Sequence, residues 1–106
     1  MSTVNILHGF EPINFDHLLI SEEEKRHGRL LFQRDFIENV TETKGPGLSR
    51  LSEIRALSNN RITKVPYSIF LGLNEEREVT RAICSCKFGT NGLCKHVYAT
   101  MLHMNN

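Results

Sequence analysis

Three cysteines and one histidine near the C-terminal end are spaced to do chemistry together. Cys84-Ser85-Cys86, seven further residues, then Cys94-Lys95-His96 read as C-x-C-x7-C-x-H. In an extended chain residues i and i+2 point to the same side, so Cys84 and Cys86 can offer two thiolates to one ion. Gly89 and the Asn91-Gly92 pair supply the left-handed conformations that turn the chain back. Cys94 then stands just before a helix, with His96 in its first turn. Three sulfurs and one imidazole are a tetrahedral Zn²⁺ set, with bonds of roughly 2.3 Å and 2.0–2.1 Å. Four protein ligands leave no position for an activated water, so the expected site is structural, with one Zn²⁺ per chain and no enzymatic role. Such sites contribute on the order of 10 kcal/mol or more to folding in finger peptides, against a net stability of about 5–15 kcal/mol for a domain. The rival readings are chance clustering of buried thiols and a redox pair. A C-x-C disulfide is tight and strained, and Cys94 beside a histidine suits a ligand better.

The elements that must hold this set can be read from periodicity. Tyr67, Ile69, Leu71 and Leu73 alternate with Ser68, Phe70 and Gly72, which predicts a strand that Pro66 can open. Asn74-Glu75-Glu76 reads as a hairpin loop, and Glu78 to Cys84 as the return strand. That register puts Arg81, with Val79 and Ile83, on the face opposite Cys84. From Lys95 the period becomes helical: Val97, Met101 and Met104 stack, Tyr98 and Leu102 widen the stripe, and Lys95 and His103 lie opposite. Upstream, Leu51 to Ser58 reads as a strand with Ser52, Ile54, Ala56 and Ser58 on one face, followed by a turn over Ser58 to Arg61. Lys44-Gly45-Pro46-Gly47 is a firm break. Residues 29–40 are open between helix and strand, two short strands around Gln33-Arg34-Asp35 being one solution. Ser21-Glu22-Glu23-Glu24 fits a reciprocal capping box that starts a short helix from Ser21 to His27, closed by Gly28. Ile6 to Ile20 reads as irregular, broken by Gly9 and Pro12.

Composition bounds the rest. The chain has 106 residues, 40% of them hydrophobic and 24% charged, which is one ordinary globular domain rather than a disordered chain. No apolar run approaches the roughly 18 residues of a membrane span. The start, Met1-Ser2-Thr3-Val4-Asn5, lacks a secretory pattern, and three cysteines cannot pair off within one chain. Reduced thiols and an intracellular location, nuclear or otherwise, are therefore expected. Net charge is +1, so no global field advertises nucleic acid, but the charge is uneven. Residues 1–60 hold 7 Lys/Arg against 9 Asp/Glu, and residues 61–106 hold 6 against 3. Arg81, Lys87 and Lys95 surround the ligands, with Arg61, Lys64 and Arg77 upstream. They suit phosphate contacts, or they balance the −1 charge of a zinc with three thiolates. Phe88 in the zinc loop could stack on a base, mark a protein contact or pack on the hairpin. His8, His17, His27 and His103 are isolated, His103 being the one substitute ligand if His96 points away. Asn39-Val40-Thr41 matches a glycosylation acceptor only by chance in such a compartment. Glu22 to Glu24 read as a solvated first turn rather than a cation site. No catalytic triad, P-loop or dinucleotide fingerprint occurs.

At Ala82-Ile83-Cys84-Ser85-Cys86-Lys87-Phe88-Gly89 and Gly92-Leu93-Cys94-Lys95-His96-Val97-Tyr98-Ala99 the sequence resembles the SWIM-type zinc finger. It is similar to the form of that finger that precedes YqaJ-like viral-recombinase nuclease domains. The similarity reaches back through Pro66-Tyr67-Ser68-Ile69 and the strand from Leu51 to Gly28-Arg29-Leu30-Leu31, covering residues 28 to 103. The carboxylates and lysine of that nuclease have no counterparts here. The resemblance implies a module that binds DNA or other proteins. An alternative is a targeting domain cut from a nuclease or transposase whose catalytic domain lies outside this chain.

The expectation is then a small α+β fold: an antiparallel sheet ending in the hairpin Tyr67 to Cys84, a zinc loop and a C-terminal helix. Residues 1–60 form a helix-and-strand region packed on a finger at 61–106. The expected partner is nucleic acid or protein, with no membrane and no small-molecule substrate.

Overall fold

The computed structural model describes residues 4–45, 51–59, 65–86 and 94–106. In chain order the elements are β1 (Val4–Ile6), α1 (Glu22–Gln33), β2 (Ile37–Lys44), β3 (Ser52–Ser58), β4 (Tyr67–Leu73), β5 (Val79–Cys84) and α2 (Lys95–Met104). The strands form one sheet in the order β1-β2-β3-β4-β5, each antiparallel to its neighbour. The α+β architecture is the one expected. No helix is long and apolar enough to cross a membrane among the described residues.

Strand β3 buries Ser52, Ile54, Ala56 and Ser58 and exposes Glu53 and Arg55, as its period-two pattern requires. Facing them across β4, Ile69, Leu71 and Leu73 fall on the same buried face. Helix α2 lies against β2, β4 and β5, and Val97, Met101 and Met104 are almost fully buried there. The opposite sheet face, with Arg55, Ser68, Arg81 and Ile83 exposed, is turned away from this core.

Several expectations are corrected. Helix α1 does not close at Gly28 but runs on to Gln33. Gly28 is buried, and a Cβ there would lie 2.8 Å from Tyr98 Cδ2 and 2.9 Å from Lys95 O. The glycine is an approach point for α2, where the bare backbone lets two helices touch. Leu30 to Phe32 are thus helical, and the turn at Arg34-Asp35, with Asp35 at φ 56°, leads into β2. A short first strand, β1, pairs with the far end of β2 and was not signalled by three residues of weak pattern.

Two bulges re-aim side chains. Register shifts between Glu38 and Thr41, where Asn39 takes φ 55°, a value asparagine tolerates better than most residues. The second shift lies between Gly72 and Leu73 of β4, opposite Arg81 and Val79. It turns Val79 inward, so Val79 shares the buried face with Cys84 while Arg81 and Ile83 stay outside. Strict alternation had grouped Val79 with Arg81.

The segment 11–18 has no regular structure yet is firmly tied. Asn14 bridges to Glu78 in parallel, its N–H donating to Arg77 O at 2.8 Å and its carbonyl accepting from Val79 N at 3.0 Å. His17 Nε2 donates to Val79 O at 2.8 Å. At the end of α2, the Asn105 amide clamps the Ile13 backbone, accepting at 2.7 Å and donating at 2.9 Å.

Candidate metal centre

Strand β5 delivers Cys84 as its last residue, opposite Ile69. The chain then turns under two serine bonds. Ser85 N donates to Ser68 O at 3.0 Å, and Ser68 N donates to Ser85 Oγ at 2.8 Å. This holds Cys86 on the side of Cys84. From the other direction Cys94 stands at the N-cap of α2 in extended conformation (φ −97°, ψ 170°), and His96 falls in the first turn. The ligand atoms of Cys84, Cys86, Cys94 and His96 all lie within 4.8 Å of one another, and all four residues are buried.

His96 Nδ1 is 3.7 Å from both Cys84 Sγ and Cys94 Sγ. Ideal tetrahedral bonds imply S···N edges of about 3.6 Å and S···S edges of about 3.8 Å. These two edges match a Zn²⁺ site, the remaining ligand atoms lie within 4.8 Å, and Nδ1 is the nitrogen that faces the sulfurs. Tyr67 packs on the imidazole with ring centroids 4.7 Å apart, which fixes the ring plane. The Cys94 thiol is already biased toward ligation. A hydrogen bond from Cys84 draws the Cys94 thiol down to about 4 against the opposing effect of burial, helped by His96 and the Val97 N–H. Holding the shared proton, together with burial, pushes Cys84 up. Cys84, Cys86, Cys94 and His96 would hold a zinc in place of that proton, which would tie the end of the hairpin to the start of the helix.

The Cys94 sulfur belongs to this cluster and takes the Val97 N–H, which leaves the first N–H of α2, that of Lys95, to be satisfied from elsewhere. The cap comes from another helix: Lys95 N donates to Glu24 Oε2 at 2.7 Å. This corrects the reciprocal capping box. Ser21 Oγ does accept from Glu24 N at 3.2 Å, but the Glu24 carboxylate is turned to α2 instead of back to Ser21. A negative carboxylate at a helix N-terminus also suits the helix dipole.

The other candidates are placed as follows. Lys95 is half-buried beside a cleft of about 560 Å³ that runs from Glu23, Glu24 and His27 to Cys86, Cys94 and His96. Arg81 lies on the exposed sheet face, its guanidinium 5.7 Å from the Phe70 ring centroid. Lys87 and Phe88 lie outside the described residues, as do Arg61 and Lys64. His103 sits beside Phe10, 6.1 Å between ring centroids, and is not part of the cluster.

Arg77 is not a free phosphate contact. It makes a two-pronged pair with Glu42, at 2.8 and 2.9 Å, and donates to Pro12 O and Glu11 O at 3.1 and 2.9 Å. Glu42 is fully buried. Burial raises its pKa, but bonds from Arg77 and Ser52 and the charges of Arg77 and Lys44 outweigh this and hold it below the ordinary value. Arg77 also takes φ 61° in the hairpin loop, a strained conformation held by these four bonds. The pair went unread because Glu42 and Arg77 are 35 positions apart in sequence. Its one signal was a glutamate two residues after the apolar Val40, in step with the buried face.

No match is found among curated proteins or solved structures. Residues 67–105, from the first residue of β4 to the C-cap of α2, match the family model of the SWIM zinc finger.

Proposed function

We propose that this chain is an interaction module that works by binding and not by catalysis, with nucleic acid as its partner. The observation that carries the reading is a division of labour between two surfaces. The four candidate ligands are buried and would fill a tetrahedral zinc shell, which leaves no coordination position for a substrate. Meanwhile the sheet face opposite α2 stays open and carries arginines. Zinc thus organises the hairpin whose outer face makes contact. The charge excess of residues 61–106 favours an anionic partner. The acidic wall of the metal-side cleft, Glu23 and Glu24, repels phosphate, and this observation favours protein contact as the second reading for that side. A targeting role beside a nuclease or transposase domain would use the same open face. Reduced thiol ligands suit an intracellular setting.

The test is a titration of zinc-loaded protein with random-sequence single strands and duplexes, at 50 and 200 mM salt. The expected result is saturable binding that weakens with salt and disappears on chelation. Absence of binding to every nucleic acid would overturn the nucleic-acid reading and leave protein contact.

A further inference from the structure

We infer that the open face of β3-β4-β5 is a platform for unstacked bases of a single-stranded nucleic acid, centred on Phe70. The inference rests on the binding reading above and names its site and substrate class. Cross-strand register builds the platform. Arg55, Phe70 and Ile83 stand in one row across β3, β4 and β5, and Leu57 and Ser68 stand in the next. Arg55 and Arg81 bring their guanidinium carbons to 5.8 and 5.7 Å from the Phe70 ring centroid. Arg81 stands across from Gly72, which leaves its stem in contact with bare backbone. The stem runs alongside the glycine: a Cβ built there would lie 3.4 Å from Arg81 Cβ and 3.8 Å from its Cγ and Cδ, an ordinary contact. A groove of about 330 Å³ runs beside the ring, lined by Arg55, Leu57, Ser68, Phe70, Ile83 and Ser85.

The chemistry of this face selects its occupant. Apolar planar surface flanked by guanidinium groups matches a ligand that is itself planar, apolar on its faces and linked to anions, which describes a nucleotide. The apolar part comprises three side chains, Leu57, Phe70 and Ile83, bordered by Ser68, Ser85 and Thr41. That is small for a protein interface, which needs roughly 800 Å² per partner with an apolar core. Phe70 is half-buried between its neighbours, so bases stacked inside a duplex cannot reach its ring. Two acids border the platform: Glu38 stands exposed across from Leu57 at its β2 edge, and Glu53 pairs with Arg55 at 3.4 Å, with both side chains of that pair more than half exposed. Such a pair contributes little and yields to phosphate.

The experiment is anisotropy of zinc-loaded protein with a labelled oligothymidylate and with a duplex of equal length, from 50 to 200 mM salt. The single strand should bind more tightly than the duplex. Phe70→Leu keeps the apolar volume and loses the ring, and should weaken single-strand binding roughly 5- to 150-fold, the range of one lost base–aromatic stack. Arg81→Ala should flatten the salt slope by about 0.7. Ile83→Glu, at an exposed position, carries the same test if Phe70→Leu does not fold, and should also weaken binding. Unchanged affinity in these variants overturns the platform, while nucleic-acid binding by the parent protein would leave the broader reading standing. Binding of neither single strand nor duplex overturns both and assigns the face to protein.

Discussion

Gly28→Ala separates local helix preference from packing, because the two predict opposite signs. In a free helix alanine is favoured over glycine by about 0.8–1.0 kcal/mol. Here the new methyl would sit 2.8 Å from Tyr98 Cδ2 and 2.9 Å from the Lys95 carbonyl oxygen. Tyr98 could swing, but Lys95 O is backbone, lying between Cys94 and His96. With zinc bound, both flanking residues are pinned, so α2 cannot retreat without straining the metal site. Overpacking of this kind costs about 1–3 kcal/mol. Subtracting the propensity gain leaves the zinc-loaded protein destabilised by about 0–2 kcal/mol, toward the upper end because the obstacle is backbone. Urea unfolding followed by circular dichroism measures this. With a slope of about 1–3 kcal/mol/M, a loss of about 1.5 kcal/mol lowers the midpoint by roughly 0.5–1.5 M. Zinc affinity should fall in step, by about tenfold for each 1.4 kcal/mol that is relieved by shifting α2. A midpoint raised by the full propensity gain, with zinc affinity intact, would refute the close helix contact and the coupling of α1 to the metal centre.

Three further outcomes are expected. Glu24→Ala removes the cap on Lys95 N and should cost about 0.5–2 kcal/mol and weaken zinc binding in a chelator competition, while Glu24→Gln, still able to accept that bond, should lose less. Glu42→Gln leaves Arg77 buried without its counter-charge and should cost about 3–5 kcal/mol near neutral pH by denaturant titration. The Glu42 pKa is lowered in the fold, so its contribution is fully present above the unfolded value of about 4.3 and is lost as pH falls through the folded value. The gap between parent and Glu42→Gln should therefore narrow below that pH, and a gap constant down to pH 2 would contradict the pairing. Cys94→Ser removes one ligand and should unfold the hairpin and α2, seen as collapse of dispersed amide signals for the described part of residues 77–104; dispersed signals in metal-free protein would contradict it.

The legible parts of the sequence were those whose pattern is local. Strand β3 alternates cleanly, β4 and β5 flank an Asn-Glu-Glu loop, and α2 carries its apolar stripe at helical spacing, so the elements around the metal could be placed to within a residue or two. The ligands were legible for the same reason: two lie two residues apart on a strand, and two lie two residues apart at a helix start. What escaped was decided by distant partners. Gly28 looks like a helix end until Tyr98 and Lys95 are brought against it. Glu24 has a local partner in Ser21, but an uncapped N–H on α2 makes a stronger claim on its carboxylate. Val79 changes face through a bulge that alternation cannot reveal. Arg77 reads as a surface cation until Glu42 is known to be buried across the sheet. In each case the tertiary neighbour outweighed the propensity of the segment.

The central claim is one zinc ion held by Cys84, Cys86, Cys94 and the Nδ1 of His96. X-ray absorption at the zinc edge, on protein purified without chelator and measured for metal content, tests it most directly. The expected result is one zinc per chain with three sulfurs at about 2.3 Å and one nitrogen at about 2.0–2.1 Å, together with a histidine NMR signature of Nδ1 ligation for His96. A folded protein with no zinc, or a shell with fewer than three sulfurs and a water oxygen in their place, would contradict it.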